Sequence, residues 1–229
     1  GRLTGGDYRA VRCGHLNDET IFGPYIFGVK PPEYVKDIRI QVMDMDIKKV
    51  SGASPLLSLK IAWKAMHDAQ VVTLCITEDD TLKGLITLGD IVESYMDTYD
   101  NGILAKSGTP YSNIIETLEG TLLSGDASGN VEGGRVVVSQ VGATGVAAGD
   151  IVIIPDGAED SYECLKAGAS CLITCSGTRP SDEVRNLASD RGVRIIETRY
   201  DAFSVSRMID QSIPVVYFMK TQNLVTFRL

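Results

Sequence analysis

The sequence predicts an α/β protein in which a compact strand-helix-strand-strand-helix unit precedes a second α/β domain built on a mostly parallel sheet. Residues 58–70 place Ile61, Ala62, Ala65 and Met66 at helical spacing between short apolar strand patterns. From Arg135 onward, apolar runs alternate with amphipathic stretches, as in a parallel sheet covered on its faces. At 229 residues, 44% apolar and 23% charged, the chain has material for one large domain or two small ones.

The elements follow in order. In residues 1–38, Asn17 is a candidate N-cap, and Pro31 and Pro32 are expected to end a helix through 22–27; the segment is too short to fold alone. Residues 39–98 hold a strand, the helix 58–70, a buried strand 71–76, a polar turn 78–81, a second hairpin strand 82–87 and a helix from Leu88. Gly and Ser punctuate 99–125 around a candidate strand 112–118, and 120–134 reads as loops joining short strands. Then come strands 136–140 and 151–154, helix 159–167, strand 171–175, helix 181–191, strand 193–197 and helix 202–210.

Composition excludes disorder and collagen-like structure, and the longest apolar runs, such as 136–138 and 151–154, fall far short of the roughly 20 residues of a membrane span. With 22 basic and 30 acidic side chains, a net charge of −8 and no Lys/Arg cluster, neither nucleic acid nor a membrane is the expected partner. Small anions stay open, because one helix N-terminus or one Lys can bind them. The five cysteines form no CxxC pair, and Cys75, Cys171 and Cys175 sit in apolar runs; they read as reduced core residues of a cytoplasmic protein. The chain starts at Gly1, and residues 223–229 stop within a strand pattern, so both ends are expected to be cut from a larger protein.

The most informative stretch is Gly84-Leu85-Ile86-Thr87-Leu88-Gly89-Asp90. A strand ending in Thr that enters a helix with Asp three residues later sets a hydroxyl and a carboxylate at the helix N-terminus. There, free N–H groups and the helix dipole can hold a phosphate while the carboxylate accepts from a ribose diol. The same spacing is close to a capping box. Both readings stand, and the same residues can serve both.

Residues 39–98 resemble a CBS domain on Asp79, Leu82, Gly84, Leu85, Ile86, Thr87 and Asp90, with Cys75 where many CBS domains carry Pro. The resemblance implies a pair of CBS domains binding an AMP-, ADP- or ATP-type nucleotide between them. Asp90 would hold the ribose and Thr87 the phosphate, with Lys60 facing the same region. It extends along nearly the whole chain. The run from Ala10 to Thr20, with Tyr25-Ile26-Phe27-Gly28-Val29 and Pro32-Glu33, resembles the stretch after the first catalytic motif of family II inorganic pyrophosphatases. The stretch from Ser94 to Asn101 resembles the branch whose DHH catalytic domain is interrupted by two CBS domains flanking a DRTGG domain. Residues 1–38 would then be the tail of the N-terminal part of the DHH domain, 39–98 the first CBS domain and 99–212 the DRTGG domain. Residues 213–229 would be the start of the second CBS domain. No literal Asp-Arg-Thr-Gly-Gly string is present.

What the resemblance implies is the regulatory region of an enzyme that hydrolyses diphosphate to two phosphates at paired Mn or Co ions, a homodimer through its CBS domains, and allosteric control by adenine nucleotides. The metal motifs of that family, His-x-x-x-Asp-x-Asp and Asp-His-His, are absent here, and the fragment itself is expected to be inactive. His15 and His67 read as structural. Gly142-Ala143-Thr144-Gly145 reads as an ordinary turn, lacking the phosphate-loop ending, and Ser176-Gly177-Thr178-Arg179-Pro180 as a loop with Ser181 as N-cap. A free-standing CBS/DRTGG nucleotide-sensing module without hydrolase activity is the alternative; a third possibility, a small transferase in the second domain, has no supporting catalytic constellation.

Overall fold

The computed structural model describes residues 10–36, 50–96, 100–157, 159–222 and 224. The chain divides into two compact units, 1–49 with 226–229, and 50–225. The expected first strand of residues 39–98 and most of the strand pattern at 223–229 lie outside the described residues.

In the first unit, β1 (Val11–Arg12) pairs in parallel with β2 (Glu33–Tyr34) across α1 (Asp18–Ile26). Asn17 caps the helix, its Oδ1 accepting the Thr20 N–H at 2.8 Å. The helix ends before Gly28, whose φ of +59° suits glycine, and not at the two prolines. No residue of α1 is buried within this unit; Phe22, Tyr25 and Phe27 are 62%, 82% and 80% exposed.

The second unit begins with α2 (Leu59–Ala69), capped by Ser58, whose Oγ accepts the Ile61 N–H. It buries Leu59, Ala62 and Met66, positions i, i+3 and i+7, against the hairpin of β3 (Thr73–Glu78) and β4 (Thr81–Thr87). Asp79 and Asp80 form the two-residue turn with φ of +49° and +57°, the backbone a right-twisted hairpin prefers. Leu74, Ile76 and Ile86 point inward, and α3 (Leu88–Met96) follows β4 without a break. The period of two then turns Cys75 outward, so it is exposed and not the core residue its apolar neighbours suggested.

Next come α4 (Ile103–Lys106) and α5 (Tyr111–Thr117). The strand expected at 112–118 is this helix. Tyr111, Ile114 and Thr117 lie on one buried face at a spacing of three, and that burial overrides the β preference of Ile and Thr.

A five-stranded sheet completes the unit, with strands β5 (Thr121–Ser124), β6 (Val136–Val138), β7 (Ile151–Ile154), β8 (Cys171–Thr174) and β9 (Arg194–Glu197) in the order β5-β9-β8-β7-β6. β6 to β9 are parallel and β5 is antiparallel to β9. One face, through Val152, Ile154, Leu172 and Ile195, packs on α6 (Ser161–Lys166) and α7 (Asp182–Asp190). The other, through Ile151, Ile153, Cys171, Ile173 and Ile196, packs with α8 (Ala202–Met208), a 3-10 turn over Ile209–Ser212 and α5. That second core is continuous with the hairpin core through Leu104, Ile114, Leu118, Ile209, Ile213 and Val215. The strand-helix-strand-strand-helix unit and the parallel-sheet domain therefore share one hydrophobic cluster.

Candidate functional site

The β4–α3 junction is built from Thr87, the last residue of β4, and Asp90, in the first turn of α3. The Thr87 N–H and Oγ1 donate to Asp90 Oδ2 at 2.8 and 2.7 Å, and the Asp90 N–H donates back to Thr87 Oγ1 at 3.2 Å. This is a reciprocal capping box, and the sequence spacing is sufficient to form it. Its start is pinned by the Leu88 N–H, which donates to the Val72 carbonyl at 2.9 Å.

A residue that sequence reasoning missed completes the cluster. Lys220 Nζ lies 2.6 Å from Asp90 Oδ1, and Lys220 exchanges two backbone hydrogen bonds with Leu85, of 2.8 and 2.9 Å. The segment can approach because Gly84 has no side chain: a Cβ there would lie 2.8 Å from Met219 Sδ and 2.9 Å from the Lys220 carbonyl oxygen. Asp90 is 5% exposed. Burial pushes its carboxyl pKa up, but the hydrogen bonds from Lys220 and Thr87, with the ammonium charge, outweigh it and hold the group below the usual range. Asp90 is thus a buried anion whose cation sits on a largely exposed side chain.

Lys60 is committed elsewhere. Its Nζ donates to the Thr117 carbonyl at 2.7 Å and lies 3.6 Å from Glu119, tying α2 to the end of α5. Nearby, the buried Asn113 donates to the carbonyls of Leu56 at 2.9 Å and Ser212 at 3.1 Å, joining the approach to α2 to the 3-10 turn after α8. The segment after that turn runs antiparallel to residues 57–59, with Ser58 opposite Pro214.

His15 stacks on Tyr34 at 5.7 Å, and His67 stacks on Trp63 at 5.4 Å beside Asp68. Among the described residues no group of three or more His, Cys, Asp and Glu is placed to hold a metal ion, so the donor set of a Mn or Co pair is not met by them.

A hairpin-and-helix unit with a Thr-Asp junction shares its core with a five-stranded sheet domain, the combination expected of a CBS unit joined to a DRTGG domain. Residues 113–212 match the model of the DRTGG domain. The crystal structure of the CBS and DRTGG domains of the regulatory region of Clostridium perfringens pyrophosphatase, complexed with the activator diadenosine tetraphosphate, aligns with a TM-score of 0.73 and 33% identity. It covers 82% of this chain and 84% of that one. The chain belongs to the family of CBS–DRTGG regulatory regions of inorganic pyrophosphatases. The cobalt-dependent inorganic pyrophosphatase of Clostridium perfringens is 34% identical over 220 residues, 94% of this chain. A probable manganese-dependent inorganic pyrophosphatase of Thermotoga maritima is 22% identical over 213 residues, 91% of this chain. The matched stretch spans 40% and 39% of the length of these two relatives.

Proposed function

We propose that this chain is the regulatory region of a Mn- or Co-dependent, cytoplasmic inorganic pyrophosphatase, and that it senses adenine nucleotides through Asp90 and Thr87. Residues 1–38 would belong to the DHH catalytic domain, 39–98 to the first CBS domain, 99–212 to the DRTGG domain and 213–229 to the start of the second CBS domain. Asp90 accepts from the ribose diol, while the Thr87 hydroxyl at the α3 N-terminus meets the first phosphate. Lys60, whose ammonium already serves Thr117 and Glu119, is an outer partner at most.

The observation that carries this reading is the exposed counter-charge on Asp90. Lys220 is 67% exposed, so a nucleotide can take its place on the carboxylate while the freed ammonium turns to a phosphate. The related regulatory region solved with diadenosine tetraphosphate supports the class of ligand. Similarity over 94% of the chain to a pyrophosphatase speaks against a free-standing sensing module.

Homodimerisation has a surface to work with: Leu88, Val92 and Met96, at i, i+4 and i+8 of α3, are 39%, 50% and 72% exposed. A dimer through this stripe buries all three.

Calorimetric titration of the chain with AMP, ADP, ATP and diadenosine tetraphosphate tests the site. Binding that is lost in Asp90→Ala with the fold intact supports it; equal binding by Asp90→Ala overturns it.

A further inference from the structure

A cleft lies on the opposite side of the sheet from the shared core. β7 and β8 end at Ile154 and Thr174, and beyond their carboxyl ends, between α6 and α7, the cleft measures about 640 Å³, within the range of small-molecule sites. Alternation along β8 sends Leu172 and Thr174 to this face. Thr174 is 1% exposed, lines the cleft, and its Oγ1 has no hydrogen-bond partner. A valine would pack as well there without the cost of a buried, unmade hydrogen bond.

The other groups around the hydroxyl select the ligand. Ile154, Pro180 and Val184 supply apolar wall. Arg179 is the cation lining the cleft, and its Nε already donates to both carboxylate oxygens of Glu197 at 3.2 Å. Glu159 and Glu183 add two carboxylates, and Thr178 Oγ1 donates to Asp156 at 2.9 Å. Among the charged groups of the lining Glu159 and Glu183 outnumber Arg179, whose charge is already met by Glu197, and this balance disfavours phosphates and favours cationic or neutral donors. We infer that this cleft binds a small ring compound bearing hydroxyl and amino donors and no phosphate, of the nucleoside or amino-sugar class. Glu159 and Glu183 accept from its donors, the ring packs on Ile154, Pro180 and Val184, and Thr174 meets a ring substituent at the floor. The site is separate from Asp90 and goes beyond the nucleotide-sensing reading.

The test is a titration of the 229-residue chain, observed through its backbone amides by NMR, with adenosine, AMP, D-glucosamine and glucosamine 6-phosphate. Adenosine or D-glucosamine is expected to shift the amides of residues 174 and 178–184 saturably, its phosphorylated counterpart binding about tenfold more weakly because of the like charges. Which of the two binds separates a nucleoside from an amino sugar. Thr174→Val should abolish the shift while melting at the wild-type temperature or above, since the hydroxyl it removes has no partner. Asp90→Ala should leave the shift unchanged, which separates this site from the nucleotide site. No saturable shift with either probe, equal or tighter binding of the phosphorylated forms, a shift that needs Asp90, or wild-type binding by Thr174→Val would overturn the inference.

Discussion

Lys220 and Asp90, 130 positions apart in the chain, meet at 2.6 Å across the β4–α3 junction. The pairing links the segment proposed to open a second CBS domain to the capping box of the proposed first one, so whatever displaces the ammonium acts on both.

Lys220→Met is the direct probe of that pairing. The carboxyl of Asp90 loses the hydrogen bond and charge that lower its pKa, so its titration should move upward. If the ammonium turns to phosphate when nucleotide binds, AMP binding falls while adenosine binding holds or improves. An equal loss for both ligands, read by calorimetry, would contradict that role.

Thr87→Ala removes the hydroxyl that both donates to Asp90 and accepts from its N–H. The loss of one capping interaction is about 1 kcal/mol, measurable by urea denaturation, and Thr87→Ser should recover most of it.

Asn113→Ala leaves the buried Ser212 bond and the partly buried Leu56 bond without their donor, at about 2 kcal/mol. It joins chain segments 99 residues apart for the longer of these bonds, so its loss should also speed amide exchange in the 3-10 turn at Ile209–Ser212.

Acid should destabilise the fold through Asp90 and Asp150. In Asp150, 1% exposed, burial raises the carboxyl pKa, but Arg135 and the N–H groups of Ala147 and Arg135 hold it below the usual range. For a carboxyl depressed in the folded state, stability is full above the unfolded value, near pH 4, and is lost as pH falls through the folded one. Asp150→Asn should therefore flatten the acid limb of a stability-versus-pH curve.

Asp210 has the opposite sign. Burial raises its pKa, so ionisation at neutral pH opposes folding, and its penalty shrinks as pH drops through the raised value. Asp210→Asn should raise the melting temperature at pH 7 and leave it nearly unchanged once the wild-type carboxyl is protonated.

Much of the junction was legible because it is local. Thr87 and Asp90 stand three residues apart, and a capping box needs no more than that spacing and a helix to follow. The alternation of apolar strands with amphipathic helices after Arg135 likewise announced a parallel sheet, with boundaries correct to within one or two residues at β7, β8, α7 and β9. Reading failed where local preference and tertiary burial disagree. Residues 112–118 carry Ile, Ile and Thr and look like a strand, yet their buried face follows a helical spacing. Cys75 sits among apolar residues, yet a hairpin with one covered face turns alternate residues to solvent.

Hydrophobic period, turn chemistry and capping pairs act over a few residues, so the chain's own order of amino acids was enough for the α/β class, the hairpin and the Thr87–Asp90 box. Folding alone brought Lys220 to Asp90, sent Lys60 to Thr117, joined Leu56 to Ser212 through Asn113 and left the buried Thr174 hydroxyl without a partner at the edge of a cleft. Those contacts depend on how one shared core orients the hairpin unit against the sheet, and a long-range packing arrangement leaves no periodic trace in the sequence that forms it.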